Sequence, residues 1–263
     1  MMKTEKTIKQ QARAALHGNA SALIAMTGVV AAAYFLLNYV QFVLLYLFVP
    51  SGAADGTFSA NDFNARLIQS IYMLLLLFLS PLLNGALRGA AQAAVHGDCG
   101  ARDVFYYFGA FRRWAKTVLI NLLVYCLFAA AGFALNPGFY TRALLPWLYN
   151  APLDWNIESF VVIFIDVVSV LLQICYYMLF VHFPLTAYAL NENIRVEKCV
   201  FMMIGFSALH FGKLLRLLFS FAGWFALCFL VVPALYVIPY FAVTSMMSAK
   251  WLFELEENRG IAE

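Results

Sequence analysis

Six long apolar runs divide the chain, at about residues 20–49, 67–87, 117–135, 159–190, 214–232 and 234–253. About 20 apolar residues cross the hydrocarbon core of a bilayer at 1.5 Å rise per residue. Backbone polar groups in lipid must bond within their own segment, so each run predicts a helix. The first and fourth runs exceed an upright span and predict tilt, or helix continuing beyond the bilayer. The last two meet at Val232-Pro233-Ala234, which leaves almost no loop and predicts a tight antiparallel hairpin.

Polar positions between the runs fix an expected topology. Of 17 Lys and Arg, fifteen fall on one side. These are Lys3, Lys6, Lys9 and Arg13 before the first run, and Arg88, Arg102, Arg112, Arg113 and Lys116 between the second and third. Arg195, Lys198, Lys213 and Arg216 lie between the fourth and fifth, and Lys250 and Arg259 close the chain. Only Arg66 and Arg142 fall on the other side. The positive-inside rule therefore predicts a cell-membrane protein with both termini cytoplasmic. Hydrophobic residues make up 64% and charged residues 12%, against roughly half and a quarter in soluble domains. Net charge is only +3 and scattered over short loops, which excludes a nucleic-acid partner.

The connections differ in character. Residues 4–17 predict a short helix along the membrane surface, with Gly18-Asn19 breaking it before the first span. The first run is too long for a signal-peptide core, so no cleaved leader is expected. Residues 50–66 are turn-rich, and residues 136–158 carry Tyr140, Trp147, Tyr149 and Trp155 suited to the outer headgroup level. On the other side, Gly85, Gly89, Ala93 and Gly97 follow four-residue spacing and predict a narrow strip that another helix approaches closely. Asp103 to Trp114 mixes aromatics with Arg112 and Arg113 and predicts an amphipathic interfacial helix. Residues 196–213 repeat that theme.

Chemistry is sparse. The four histidines (His17, His96, His182, His210) lack metal-ligand spacing, and the five cysteines (Cys99, Cys126, Cys175, Cys199, Cys228) form no CxxC. Gly212-Lys213 is followed by Leu214, not the Ser or Thr of a phosphate loop, and no GxSxG occurs. A non-enzymatic protein without metal or cofactor is the expectation. Asp166 is the one acidic residue inside an apolar run, and intramembrane carboxylates often mark transport paths. The 21 residues from Val167 to Ala187 also suffice as a span, which would place Asp166 at the outer interface. Asn38, Gln41, Asn121, Gln173 and His182 either join helices by hydrogen bonds or, with Asp166, line a polar cavity.

The C-terminal third carries Ser220-Phe221-Ala222-Gly223-Trp224, then Pro239-Tyr240 and Trp251. Earlier come Ala12-Arg13, Leu16-His17-Gly18-Asn19, Gly85, Arg88-Gly89, Phe105 and Gly109-Ala110-Phe111. Together these resemble a family of bacterial integral membrane proteins common in Firmicutes and known only as a domain of unknown function. That family is similar in outline to the membrane domain fused to some glycerophosphodiester phosphodiesterases. Asn191-Glu192-Asn193 stands where the family reads Glu-Asn-Pro, and the family's Ser before the Met-rich stretch is not evident near Met202-Met203. The resemblance implies a fold and a location but no activity.

The expectation is thus one integral membrane domain over residues 1–263: an all-α bundle of six transmembrane helices with amphipathic interfacial helices on the cytoplasmic side. Its cytoplasmic face is expected to bind anionic lipid or a partner protein through Arg102, Arg112, Arg113, Trp114, Lys116, Lys213 and Arg216. Membrane lipids, another membrane protein or a second copy are the expected partners. The alternative is a small transporter or channel whose path runs past Asp166, Gln173, Asn121 and His182.

Overall fold

The computed structural model describes residues 5–48, 63–134, 173–174, 176–228 and 231–260. Among these the chain is helical and contains no strand. Helix α1 spans Glu5–Phe48, α2 Phe63–His96 and α3 Phe111–Ala134. All three are long and apolar enough to cross a membrane. A fourth crossing results if the bent pair Lys198–Leu209 and Phe211–Phe219 counts as one broken span. Phe35, Phe42, Tyr46 and Phe48 stand exposed along α1, an apolar surface that suits lipid. These features are compatible with membrane insertion.

The structure corrects the expected break at Gly18-Asn19, because α1 runs straight through it. A single glycine costs a helix only about 1 kcal/mol, too little to interrupt 44 residues. Asn19 has a tertiary task in place of a capping one. Its Nδ2 donates to the Ala15 and Gly97 carbonyls at 3.0 and 2.9 Å, and its Oδ1 accepts from the Cys99 N–H at 3.0 Å.

Helix α2 carries Pro81 without ending. Proline lacks the N–H that would reach the Leu77 carbonyl. The neighbouring Ser80 hydroxyl donates to that carbonyl instead, at 2.7 Å. The helix stops at Gly97, whose φ of +78° is the left-handed conformation that favours glycine. The small-residue strip does permit close approach. A Cβ on Gly85 would lie 2.1 Å from the Val104 carbonyl oxygen, and one on Gly89 would meet the Met26 thioether.

What approaches Gly85 is a 3₁₀ segment, Ala101–Gly109, rather than an α-helix. Val104 and Tyr107 are buried three residues apart, which matches the 3₁₀ repeat. The amphipathic helix expected over 103–114 is therefore two elements, since Ala110 is extended and α3 begins at Phe111.

The expected fourth span lies outside the described residues up to 172. From Tyr177 to His182 the backbone makes a π-helical turn that leads into α4, Phe183–Leu190. The expected fifth span, 214–232, is not one helix. Helices α5 (Met203–Leu209), α6 (Phe211–Phe219) and α7 (Ala222–Leu227) follow in short steps, with a 76° bend at His210 and turns at Ser220-Phe221. Side chains satisfy carbonyls at the second break: Lys9 Nζ donates to Ser220 O at 3.0 Å and Ser220 Oγ to Leu217 O at 2.5 Å. Helix α8, Val231–Gly260, closes the described chain and contains Pro233 and Pro239. One core joins Leu16, Leu23 and Met26 of α1 to Ala90 of α2 and Tyr240, Val243 and Met246 of α8. A second gathers Tyr107, Ile120, Val124, Leu185 and Tyr188.

Candidate functional site

The charged ends of α2 and α3, the 3₁₀ segment and the turn after α4 meet around Arg88. Its Nε donates to Glu192 at 2.5 Å and its Nη1 to Asp103 at 3.4 Å. The guanidinium lies 3.6 Å over the Tyr106 ring, and the Arg113 guanidinium lies over the same ring at 4.7 Å. Lys116 Nζ donates to the Glu192 carbonyl at 2.5 Å and stands 5.5 Å from the Tyr188 ring. Tyr188 stacks on Tyr107 at 5.5 Å, and its hydroxyl pairs with Thr117 Oγ1 at 3.0 Å. Burial pushes the Tyr107 hydroxyl far above its ordinary pKa, so it stays neutral. Arg88, Asp103 and Glu192 are largely covered, with about a quarter or less of each side chain exposed. Their hydrogen bonds and ion pairs fasten α2, the 3₁₀ segment and the turn after α4, and Lys116 adds α3 through the Glu192 carbonyl.

The free chemistry lies just outside this hub. Phe105, Phe108 and Phe111 are 54%, 41% and 80% exposed at three-residue spacing. Arg102, Arg112 and Arg113 are exposed around them. The Arg102 and Arg112 side chains form no hydrogen bond or ion pair with described residues. Trp114 is half-buried and stacks on Phe78 at 5.3 Å and Phe111 at 5.7 Å, which ties the start of α3 to α2. Helix α3 has no acidic residue in its first turn, although Arg112 and Arg113 lie there. Cations at a helix N-terminus oppose the macrodipole, so this end is electrostatically unsatisfied.

The other residues nominated from sequence do not all join this surface. Lys213 is on α6 with its ammonium 5.5 Å from the Trp251 ring, and Arg216 is exposed one turn further on. Of the transport candidates, Asp166 lies outside the described residues and Gln173 is exposed. Asn121 is fully buried and donates to Thr117 O at 2.8 Å, while its Oδ1 has no partner among the described residues. The His182 ring stacks on Phe241 at 5.4 Å, and its carbonyl accepts from Thr186. Asn38 accepts from Tyr72 at 2.9 Å and Gln41 donates to Gln69 at 2.6 Å, so both join α1 to α2. Among the described residues no cluster of His, Cys, Asp and Glu has the geometry to hold a metal ion.

Sequence reasoning left out Arg88, Asp103, Tyr106 and Glu192. Arg88 and Glu192 are 104 residues apart, and only their place in flanking motifs hinted at either. Comparison with the models of known protein families, with curated proteins and with solved structures returned no match.

Proposed function

We propose that this chain is a non-enzymatic multi-pass protein of the cell membrane that binds anionic lipid at its cytoplasmic face. The carrying observation is the pair of exposed rings Phe105 and Phe108 on the 3₁₀ segment, followed by exposed Phe111 at the start of α3, with Arg102, Arg112 and Arg113 exposed on the same stretch of chain. Rings of this kind enter the headgroup boundary while guanidinium groups meet phosphate. An anion there also relieves the cationic start of α3. In this reading both termini are cytoplasmic and the chain passes six times, with the fifth pass, 214–232, broken at Ser220-Phe221. The Arg88 hub anchors the 3₁₀ segment that carries Phe105 and Phe108.

The test is lipid retention by the purified chain in mixed nanodiscs, with and without Arg102→Glu, Arg112→Glu and Arg113→Glu together. Enrichment of anionic lipid that the triple variant loses supports the proposal. Unchanged enrichment would sink it, and a co-purifying protein lost only in the variant would shift the reading to a protein partner. A second reading, a small transporter or channel, draws support from the buried Asn84 and Asn121, whose Oδ1 atoms lack partners among the described residues. It predicts that Asp166→Asn abolishes a solute or ion flux in proteoliposomes while the fold survives.

A further inference from the structure

A cavity of about 890 Å³ opens between α1, α2 and α3, within the range of small-molecule sites, about 300–1,000 Å³. Its walls are mainly apolar, with Met73 and Leu77 of α2 facing Leu122 and Phe128 of α3, and no charged residue lines it among the described residues. Tyr34 of α1, Gln69 of α2 and Tyr125 of α3 bring polar groups to it. The Gln69 Oε1 is taken by Gln41 Nε2 at 2.6 Å, which leaves the Gln69 N–H groups. The Tyr34 and Tyr125 hydroxyls have no hydrogen-bond partner among the described residues. Ser70 and Ser80 also line the cavity, but they spend their hydrogens on the Arg66 and Leu77 carbonyls, at 2.8 and 2.7 Å. What the walls offer is therefore a set of donors without acceptors. Beside them Tyr177 opens the π-helical turn, and its ring meets Phe128 edge-on at 6.1 Å. Tyr34, Tyr125 and Tyr177 lie within electrostatic reach of one another. Single π-helical turns are frequent at functional sites.

In the membrane reading this site is deep. Tyr34 lies midway along the apolar run 20–49, and Tyr125 midway along 117–135. Phospholipid ester carbonyls stay at the edge of a hydrocarbon core about 30 Å thick, about 15 Å from its centre, and do not reach these phenols. A charged ligand would stand unpaired among such walls and be costly to bury. A lipid alcohol offers one oxygen and serves one wall. We propose that this cavity binds the ring of a membrane-soluble quinone. Such a ring is flat and uncharged, and it carries two carbonyl acceptors on opposite sides. One carbonyl accepts from the Tyr34 phenol on α1 and the other from the Tyr125 phenol on α3, with the Gln69 amide as a further donor. The prenyl tail lies along Met73, Leu77 and Leu122.

The inference rests on the membrane reading but not on the arginine surface at the start of α3, so the two fail separately. The full chain is reconstituted in phosphatidylcholine liposomes, which are washed with carbonate and illuminated with an azido-benzoquinone carrying a decyl tail. Labelled peptides are then mapped by mass spectrometry. Label should concentrate on residues 69–80 and 122–129, and excess decylubiquinone should compete it away. Decylbenzene, a tail of the same length without carbonyls, should not compete. Tyr34→Phe with Tyr125→Phe keeps both rings and removes both donors, and should weaken competition by decylubiquinone about tenfold. Arg112→Glu with Arg113→Glu should leave labelling and competition unchanged. Equal competition by decylbenzene, label spread evenly over the apolar helices, or unchanged competition in the double phenylalanine variant would overturn the assignment. Loss of the chain from the washed liposomes would overturn the membrane reading along with it.

Discussion

Gly85→Ala should be among the most damaging single-methyl changes in the described chain. The added Cβ would lie 2.1 Å from the Val104 carbonyl oxygen, 2.6 Å from its carbon and 2.8 Å from its Cα, where ordinary contact begins near 3.4 Å. All three neighbours are backbone atoms, so no side-chain rotation relieves the clash. The 3₁₀ segment must retreat by roughly 1 Å, and overpacking of this kind costs about 1–3 kcal/mol. That retreat also carries Asp103 away from Arg88, whose contact at 3.4 Å is already long. We expect a total loss of about 2–3 kcal/mol, from reversible unfolding in bicelles. Two companions calibrate it. Gly89→Ala meets only the flexible Met26 thioether and should cost less. Gly18→Ala meets nothing within 4 Å inside a continuous helix and should stabilise by about 0.5–1 kcal/mol. Equal or higher stability of Gly85→Ala would refute the close packing of the 3₁₀ segment on α2.

Three further outcomes follow from the same geometry. A double-mutant cycle between Arg88→Met and Glu192→Gln should give a coupling of about 1–3 kcal/mol, and a value near zero would remove the hub. Asn19→Ala should cost about 1–3 kcal/mol in the same unfolding assay, because the Gly97 carbonyl and Cys99 N–H lose their partner together. Burial, then the nearby Asp103 and Asp98, push the Cys99 thiol up to about 11. Its alkylation at pH 8 should therefore run about 100-fold slower than that of an ordinary cysteine and rise about tenfold per pH unit toward pH 11. The matching stability contribution is present below the unfolded thiol's pKa of about 8.5 and is lost as pH rises through the folded value. Rapid labelling at pH 8 would show that Cys99 is open to water.

The parts of this fold that could be read in the sequence are those governed by local pattern. Long apolar runs predicted α1, α2 and α3, which are long and apolar enough to cross a membrane, where a backbone would have no other hydrogen-bonding partner. Four-residue spacing announced close approach at Gly85 and Gly89, because one helical face follows that repeat, but Gly97 ends the helix with nothing within 4 Å of a Cβ there, and the neighbour at Gly85 is a 3₁₀ segment. The misreadings came where a tertiary partner outweighed local preference. Asn19 looked like a cap, but it reaches across to Gly97 and Cys99, and the helix continues. Residues 214–232 looked like one span, but side chains such as Lys9 and Ser220 satisfy the carbonyls of a broken path. At the candidate site Arg102, Arg112 and Arg113 were legible as a basic cluster. The structure separates them from Lys116, which is bound to the Glu192 carbonyl. Arg88 with Glu192 was not legible, because nothing in a one-dimensional pattern pairs residues so far apart.

The proposed function turns on whether Phe105 and Phe108 rest in the headgroup boundary of a membrane. A nitroxide attached at Phe108→Cys, in a variant with the native cysteines replaced by serine, reports this directly through its relative accessibility to oxygen and to a water-soluble nickel chelate. Residue 108 should sit at an interfacial depth that becomes shallower when Arg112 and Arg113 are reversed to Glu. Full accessibility to the nickel chelate, unchanged by that reversal, would contradict it.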